Sequence, residues 1–385
     1  MRVLLRAPLL TNSGYGVHSR QVFEWLVEKD HVDLDVECLK WGNTPWSIKG
    51  TDYNGLAEKI MERSRSLSKP YDLTFQLQLP DEWDPTLGNY NVGMSAFVET
   101  DRCNPAWVDA CNKMDQVVVP SKFTKNVAKR SGILTSKICV IPEWYNHNID
   151  REETPVTRLP EVRTKFNYLI LGVLTAQNTD CDRKNIINTI KWVLEHHNND
   201  KDVGIVIKTN LGRGSKKDKI ETSKFIKYIV DKFRKTDFPK VYLVHGNMTS
   251  KEIAGLYKNK KISALITATR GEGYGLPIVE AAAAGIPIVA TNWSGHLEFL
   301  KPGSFLPVDY NMKEIPESKV DERIFLKGFR WAEPTQSSFT NCLAKLTSNY
   351  KEQKEVANNL SEYVRENFSK QNIKKMYDNI FSEII

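Results

Sequence analysis

Apolar residues in this 385-residue chain fall in short runs separated by polar, turn-rich segments. In the first half, Val3–Ala7, Leu34–Leu39, Leu73–Leu77, Val92–Val98, Val117–Val119 and Ile138–Ile141 are short apolar runs that predict strands. Helical spacing lies between them, notably at Val17–Glu28 and Lys122–Ser131. The pattern then stops at REETPVTRLPEVRTK, residues 151–165, a polar stretch with two prolines that reads as a linker. The second half restarts it, with strands predicted at Tyr168–Leu174, Gly204–Lys208, Val241–His245, Ala264–Thr267 and Pro287–Ala290. Helices are predicted at Asn185–His197, Lys219–Arg234, Lys251–Tyr257 and Pro277–Ala284, and from about Gln336 the chain reads as helical to its end.

Short, continuously apolar strands alternating with helices imply parallel sheets covered on both faces. Two such series in succession predict an α/β protein of two doubly wound, Rossmann-like domains with a cleft between them and C-terminal helices. The expected boundaries are 1–155 and 165–365, with 369–385 a last amphipathic helix returning to the N-terminal domain. Ligands of open parallel sheets bind beyond the carboxyl ends of the strands, so the strand-to-helix loops are where chemistry is expected.

Composition narrows the class. Hydrophobic content of 41% and charged content of 26% are those of a soluble globular protein. No apolar run approaches the roughly 20 residues needed to span a bilayer. The opening MRVLLRAPLL is broken by Arg6 and Pro8 and reads as a buried strand rather than a signal peptide. Six scattered cysteines without a CxxC pair argue against a zinc site or disulfide framework and for a reducing, cytoplasmic setting. The net charge of +7 is localised: residues 208–240 hold 11 Lys/Arg and four Asp/Glu, a surplus of +7. Residues 1–150, with 17 basic and 19 acidic side chains, come to −2.

The loop GEGYGLPIVE, residues 271–280, follows the apolar run Ala264–Thr267 and precedes a helix that Pro277 can open. Its glycines and proline forbid one continuous helix, so Glu272 and Glu280 are not a simple solvated stripe. Glu272 is expected before the helix and Glu280 in its first turn, with free N–H groups between them that suit a phosphate or sugar oxygens. A plain Gly-rich turn followed by a helix-start glutamate explains the loop alone equally well.

In its full context, EGYGLPIVEAAAAGIPIVAT, the pair Glu272-x7-Glu280 resembles the signature of retaining, family-four-like glycosyltransferases (glycosyl transferases group 1) with the GT-B fold. The resemblance implies that Glu272, Gly273, Tyr274 and Gly275 lie at the transferred sugar, with Leu276 also in the donor site. It implies that Glu280 accepts the ribose hydroxyls of a nucleotide-diphosphate sugar. NWSGHLEFL, with Ser294, Gly295 and Glu298, resembles the family's next block. TNSGYGVHSRQVFEWL, residues 11–26, resembles its first Gly-rich loop, implying that Gly14 and Gly16 admit the donor phosphates. FVETDRCNPAW, VVVPSKFTKNV and VIPEW resemble the rest of the first domain, although Glu143 stands where the family has a glycine. Glu99 and Asp101 follow a predicted strand, Glu99 as a catalytic and Asp101 as an acceptor-side candidate. In DRKN, Lys184 matches the family's diphosphate-binding lysine. The arginine expected nearer the strand end is absent from Val173–Gln177, and Arg183 is the candidate to replace it. Lys208 is a second phosphate candidate, with a snorkelling surface lysine as the bland alternative.

The implied activity is retaining transfer of a hexosyl or pentosyl group to an acceptor hydroxyl, with the C-terminal domain holding the donor and the N-terminal one facing the acceptor. Lys184, Arg183 and the loop amides would stabilise the leaving diphosphate. Asp180-x-Asp182 and Asp33-x-Asp35 fit a metal pattern, but the fold implies no obligatory ion or other cofactor. The basic segment, with GRGSKK and above all Lys216 and Lys217, suits an anionic acceptor: a glycan, a lipid headgroup or lipid-linked sugar met by peripheral membrane contact, or hydroxymethylated DNA. A solvated charged helix is the alternative there. Lys122, Lys125 and Lys129 share a helix face that would extend a basic track. A different class, a non-catalytic nucleotide-sugar or polyanion-binding protein, fits the same loops.

Overall fold

A computed structural model describes residues 1–64, 70–212 and 214–385. Arg213 of the predicted GRGSKK loop lies outside the described residues. The chain forms two compact units: residues 1–144, 321–326 and 368–385 make the first, and residues 145–320 and 327–367 the second.

In the first unit the strands are β1 (Arg2–Ala7), β2 (Asp33–Cys38), β3 (Tyr71–Leu77), β4 (Gly88–Met94), β5 (Gln116–Val119) and β6 (Lys137–Val140). All pair in parallel, in the order β2-β1-β3-β4-β5-β6. Helices α1 (Gly14–Leu26), α2 (Leu56–Arg63), α3 (Pro105–Asn112) and α4 (Lys122–Ser131) connect them. Val3, Leu4, Leu5, Leu73 and Phe75 are fully buried, as the central strands of a doubly covered sheet must be. The strand predicted at Val92–Val98 stops at Met94, and Phe97 turns the chain away at φ 53°.

The second unit repeats the plan. Its sheet has the order β12-β11-β10-β7-β8-β9, again all parallel. The strands are β7 (Phe166–Leu171), β8 (Val203–Thr209), β9 (Lys240–His245), β10 (Ala264–Thr267), β11 (Ile288–Thr291) and β12 (Leu306–Val308). Helices α5 (Ile186–His196), α6 (Lys216–Phe233), α7 (Ser250–Tyr257) and α8 (Leu276–Ala283) alternate with them. The hydrophobic core runs through Ile170, Ile190, Ile205, Ile207 and Ile266. Three strands are missing from the sequence reading. β12 is only three residues long, and the antiparallel pair β13 (Tyr310–Glu314) and β14 (Arg330–Pro334) is too polar to register as an apolar run.

After α9 (Gln336–Ser348) and α10 (Tyr350–Asn367), the chain ends in α11 (Lys370–Phe381), which belongs to the first unit. Tyr377 stacks on Trp25 of α1, and Phe381 meets Phe75 edge-on. Asp378 accepts hydrogen bonds from Trp25 Nε1 at 2.8 Å and Lys29 Nζ at 2.7 Å. Apolar burial fixes α11 and this polar pair sets its rotation. Between β14 and its partner strand, residues 321–326 join the first unit, where Arg323 forks onto Asp81 and Glu82, each at 2.6 Å.

Candidate functional site

The loops at the carboxyl ends of β7, β10 and β11 share a network of polar side chains around Glu272. After β10, Thr269–Gly275 forms a tight loop and α8 begins at Leu276, with Pro277 as its second residue. Gly275 caps the helix at φ +102°, a backbone shape that glycine adopts without the cost a Cβ would bring. Gly273 lies so close to Gly295 that a Cβ on Gly295 would sit 2.0 Å from the Gly273 carbonyl oxygen. Two loops are thus pressed together, and only glycine fits where they touch.

Glu272 is 8% exposed, yet it is charged. Burial pushes its carboxyl up, but the charges of Lys184 and Arg183 and the hydrogen bonds from Lys184 outweigh that and hold it below the usual carboxylate range. Lys184 Nζ donates to both oxygens, at 2.6 and 2.5 Å, and Thr269 Oγ1 donates to Oε1 at 3.0 Å. Arg183 Nη1 stands 4.0 Å from Oε2 and donates to the Gly271 carbonyl at 2.6 Å. Lys184 and Glu272 line a small pocket together with Leu171, Ile186, Thr267, Pro277 and Ile278.

A second polar chain fixes the Glu272 backbone. Its N–H donates to Ser294 Oγ at 2.9 Å, and Gly295 N–H donates to its carbonyl at 2.8 Å. The fully buried His296 donates from Nε2 to the Thr291 carbonyl at 2.7 Å, which leaves Nδ1 to face Ser294 Oγ at 3.4 Å. Burial pushes the His296 pKa down, so the ring is a neutral member of the network. Ser294 occupies φ +91°, ψ −161°, a region otherwise almost reserved for glycine.

Glu280 is the fifth residue of α8 and therefore sits in the second turn, not the first as the sequence reading placed it. Pro277 and the early start at Leu276 account for the shift. Burial pushes the Glu280 carboxyl up to about 8, and a hydrogen bond with Tyr257 opposes the rise only in part. Tyr257 OH donates to the Pro277 carbonyl at 3.0 Å, tying α7 to the first turn of α8. Leu276 is half-buried at the helix start. The Tyr274 side chain is buried and packs edge-on against Phe299.

The remaining candidates are spread more widely. Lys208 lies near the end of β8, half-buried, and burial pushes its ammonium pKa down. Lys216 and Lys217 are the first two residues of α6 and are exposed. Their neighbour Asp218 is buried and accepts from Gly214 N–H at 2.9 Å and His245 Nε2 at 3.0 Å, which organises the helix start. In the first unit, Gly14 opens α1 and is exposed. Gly16 has a structural reason to be glycine, since a Cβ would lie 2.2 Å from the Thr11 carbonyl oxygen. Glu99 and Asp101 follow β4 by several residues, Asp101 buried and 3.9 Å from Arg102 Nε.

Of the two Asp-x-Asp pairs, Asp182 is spent on structure: it is fully buried and accepts from Thr175 Oγ1 and Ile186 N–H, each at 2.7 Å, at the start of α5. Asp35 accepts from Tyr71 OH at 3.1 Å. Sequence reasoning missed Thr269, His296, Arg270 and Glu333. An arginine between an apolar strand and a Gly-rich loop was a usable signal for Arg270, whereas nothing marks Glu333 in the polar strand it occupies.

Two parallel six-stranded sheets with helices, one of them carrying a Gly-rich loop and an acidic pair at its carboxyl edge, define the GT-B class of α/β protein. The family pattern of glycosyl transferases group 1 matches residues 226–319, which include this whole loop, and the resemblance read from the motif is thereby borne out. Sucrose-phosphate synthase from Thermosynechococcus elongatus is 13% identical with a TM-score of 0.63, covering 100% of this chain and 99% of that one. Anabaena HepE, solved with UDP and glucose, is 14% identical with a TM-score of 0.63 and full coverage of both chains. The pneumococcal O-GlcNAc transferase GtfA, solved with UDP and GlcNAc, is 14% identical with a TM-score of 0.51 over 81% of this chain. The chain spans 56% of the length of GtfA. At such identities the likeness shows the fold. No curated protein sequence matches the chain. Among the described residues, no helix is long and apolar enough to cross a membrane.

Proposed function

We propose that the chain transfers a sugar from a nucleotide-diphosphate sugar to an acceptor hydroxyl with retention of anomeric configuration. The observation that carries this is the buried Glu272 carboxylate, charged and held by Lys184 beside a Gly-rich loop that opens a helix. Breaking the sugar–phosphate bond leaves positive charge on the sugar and negative charge on the diphosphate. Glu272 suits the sugar side. Lys184, Arg183 and the amides of Gly273 to Leu276 suit the diphosphate, with Lys208 in reserve on the neighbouring strand. Glu280 suits the ribose hydroxyls. The acceptor hydroxyl attacks from the face the diphosphate leaves, and its proton passes to the departing phosphate oxygen.

In this reading the cations of the protein balance the diphosphate, so transfer needs no divalent ion and persists in EDTA. Glu99, Asp101, Gly14 and Gly16 are assigned to the acceptor and phosphate side on the family resemblance. The acceptor class is a glycan, a lipid-linked sugar or a hydroxymethylated base. Neighbours solved with UDP support UDP-sugars as the first donors to try. The test is incubation with a panel of UDP- and GDP-sugars and mixed acceptors, following released nucleotide and the anomeric proton of the product. Tight binding with no release from any donor would make the protein a binder, and an inverted product would overturn the stereochemical assignment.

A further inference from the structure

Arg270 is fully buried, immediately before the loop that carries Glu272. Its guanidinium forms a two-pronged pair with Glu333 of β14, Nε to Oε2 at 2.8 Å and Nη2 to Oε1 at 2.7 Å. Nη1 donates to the carbonyls of Thr179 and Asp182, at 2.6 and 2.7 Å. The backbone joins in: Arg270 N–H donates to the Arg183 carbonyl at 2.9 Å, and Ala332 N–H donates to the Arg270 carbonyl at 3.2 Å. Trp331 lies beside the guanidinium, 5.5 Å from ring centre to carbon. One side chain therefore binds three segments: the 179–183 turn, the loop after β10, and the β13–β14 hairpin.

We infer that the Arg270–Glu333 pair is a positioning device that sets Arg183 and Lys184 against Glu272, making the polar hairpin a working part of the donor site. The inference rests on the nucleotide-sugar reading above. A buried arginine is costly unless every donor has a partner, and the planar fork fits carboxylate and carbonyls in a way lysine cannot reproduce. The two carbonyls it holds belong to the turn that ends in Arg183 and Lys184. Loosening that turn moves the groups assigned to the diphosphate and leaves Glu280, anchored through α8 and Tyr257, where it is.

This predicts a selective loss. Arg270→Lys and Glu333→Gln are compared with the parent by calorimetric titration, using whichever of UDP, GDP and ADP the parent binds most tightly and the matching monophosphate. Diphosphate affinity should fall about tenfold or more while monophosphate affinity changes by less than about twofold, because Arg183 and Lys184 are assigned to the terminal phosphate, which the monophosphate lacks. Glu333 lies at the more accessible end of the pair, side chain 24% exposed, so its variant keeps the test open if Arg270→Lys does not fold. Equal losses for both nucleotides would mean general damage and would overturn the inference, as would unchanged diphosphate binding in Glu333→Gln. A parent that binds none of the three diphosphates overturns the nucleotide reading and this inference together.

Discussion

Lys184 and Glu272, 88 positions apart, hold each other at 2.5 and 2.6 Å, and both line a small pocket. Each charge answers the other's desolvation, and removing Lys184 leaves Glu272 with only Thr269 Oγ1 and the more distant Arg183 as partners. Lys184→Met should therefore destabilise the fold by about 3 kcal/mol or less, the low end for a buried pair because Lys184 is 21% exposed. The double variant Lys184→Met/Glu272→Gln should recover part of that loss in urea unfolding. Activity separates the roles: Glu272→Ala should lower transfer at least about tenfold, more than roughly 1.4 kcal/mol at the transition state. A folded Glu272→Ala variant with parental turnover would remove Glu272 from the reacting sugar.

Glu280 sets binding against stability. Its carboxyl titrates at about 8 in the fold against an ordinary 4.5, so between those values the folded chain keeps a proton that the unfolded chain has released. The stability this site contributes is complete below about pH 4.5 and declines as pH rises to about 8, by at most about 1.4 kcal/mol per pH unit. Glu280→Gln carries no such burden. Its melting temperature relative to the parent should be higher at pH 8.5 than at pH 5. The same change should weaken nucleotide by about 0.5–1.5 kcal/mol below about pH 8, where the carboxyl is a neutral acceptor, and by about 1.5–3 kcal/mol above it, where the carboxyl is charged. Parallel melting curves for both proteins across pH would mean the carboxyl is not buried as described.

Ser294 offers a test of strain. At φ +91° a side chain costs about 1–3 kcal/mol, and here the hydroxyl that needs it accepts the Glu272 N–H. Ser294→Ala loses the acceptor and keeps the strain, whereas Ser294→Gly loses the acceptor and relieves it. The glycine variant should be the more stable of the two, by about the strain cost. If alanine proves the more stable, the backbone at this position is not strained.

The same residues show what a sequence can and cannot disclose. Both parallel sheets were legible because their central strands are buried on both faces and read as unbroken apolar runs, as in VLL at β1 and IVI in β8. Glu272 and Glu280 were legible because glycine and proline punctuate the loop that presents them, and Lys184 through the resemblance of DRKN to the family's diphosphate block. Glu333 was not, since its meaning comes from a partner 63 positions away. Tyr274 shows the reverse: its motif suggests a ligand, and its side chain packs into the core against Phe299. The β13–β14 hairpin escaped notice because most of β13 faces solvent and supplies no apolar alternation.

The basic segment yields the last prediction. Lys216, Lys217 and Lys219 are exposed at the start of α6, in a stretch whose surplus equals that of the whole chain. Lys216 and Lys217 sit in the first turn, where the helix dipole disfavours positive charge, so these lysines are not there to stabilise the helix. If they meet an anionic acceptor, neutralising all three should raise the acceptor KM and leave donor hydrolysis unchanged. For duplex DNA, each lysine–phosphate pairing removed should flatten the log–log salt dependence of binding by about 0.9. A neutral glycan acceptor should show little salt dependence in either protein. Acceptor affinity measured at several salt concentrations, for parent and triple variant, separates these cases. Two coincident lines would reduce the segment to a solvated surface, whereas a flatter and lower line for the variant would place the acceptor's charge on α6.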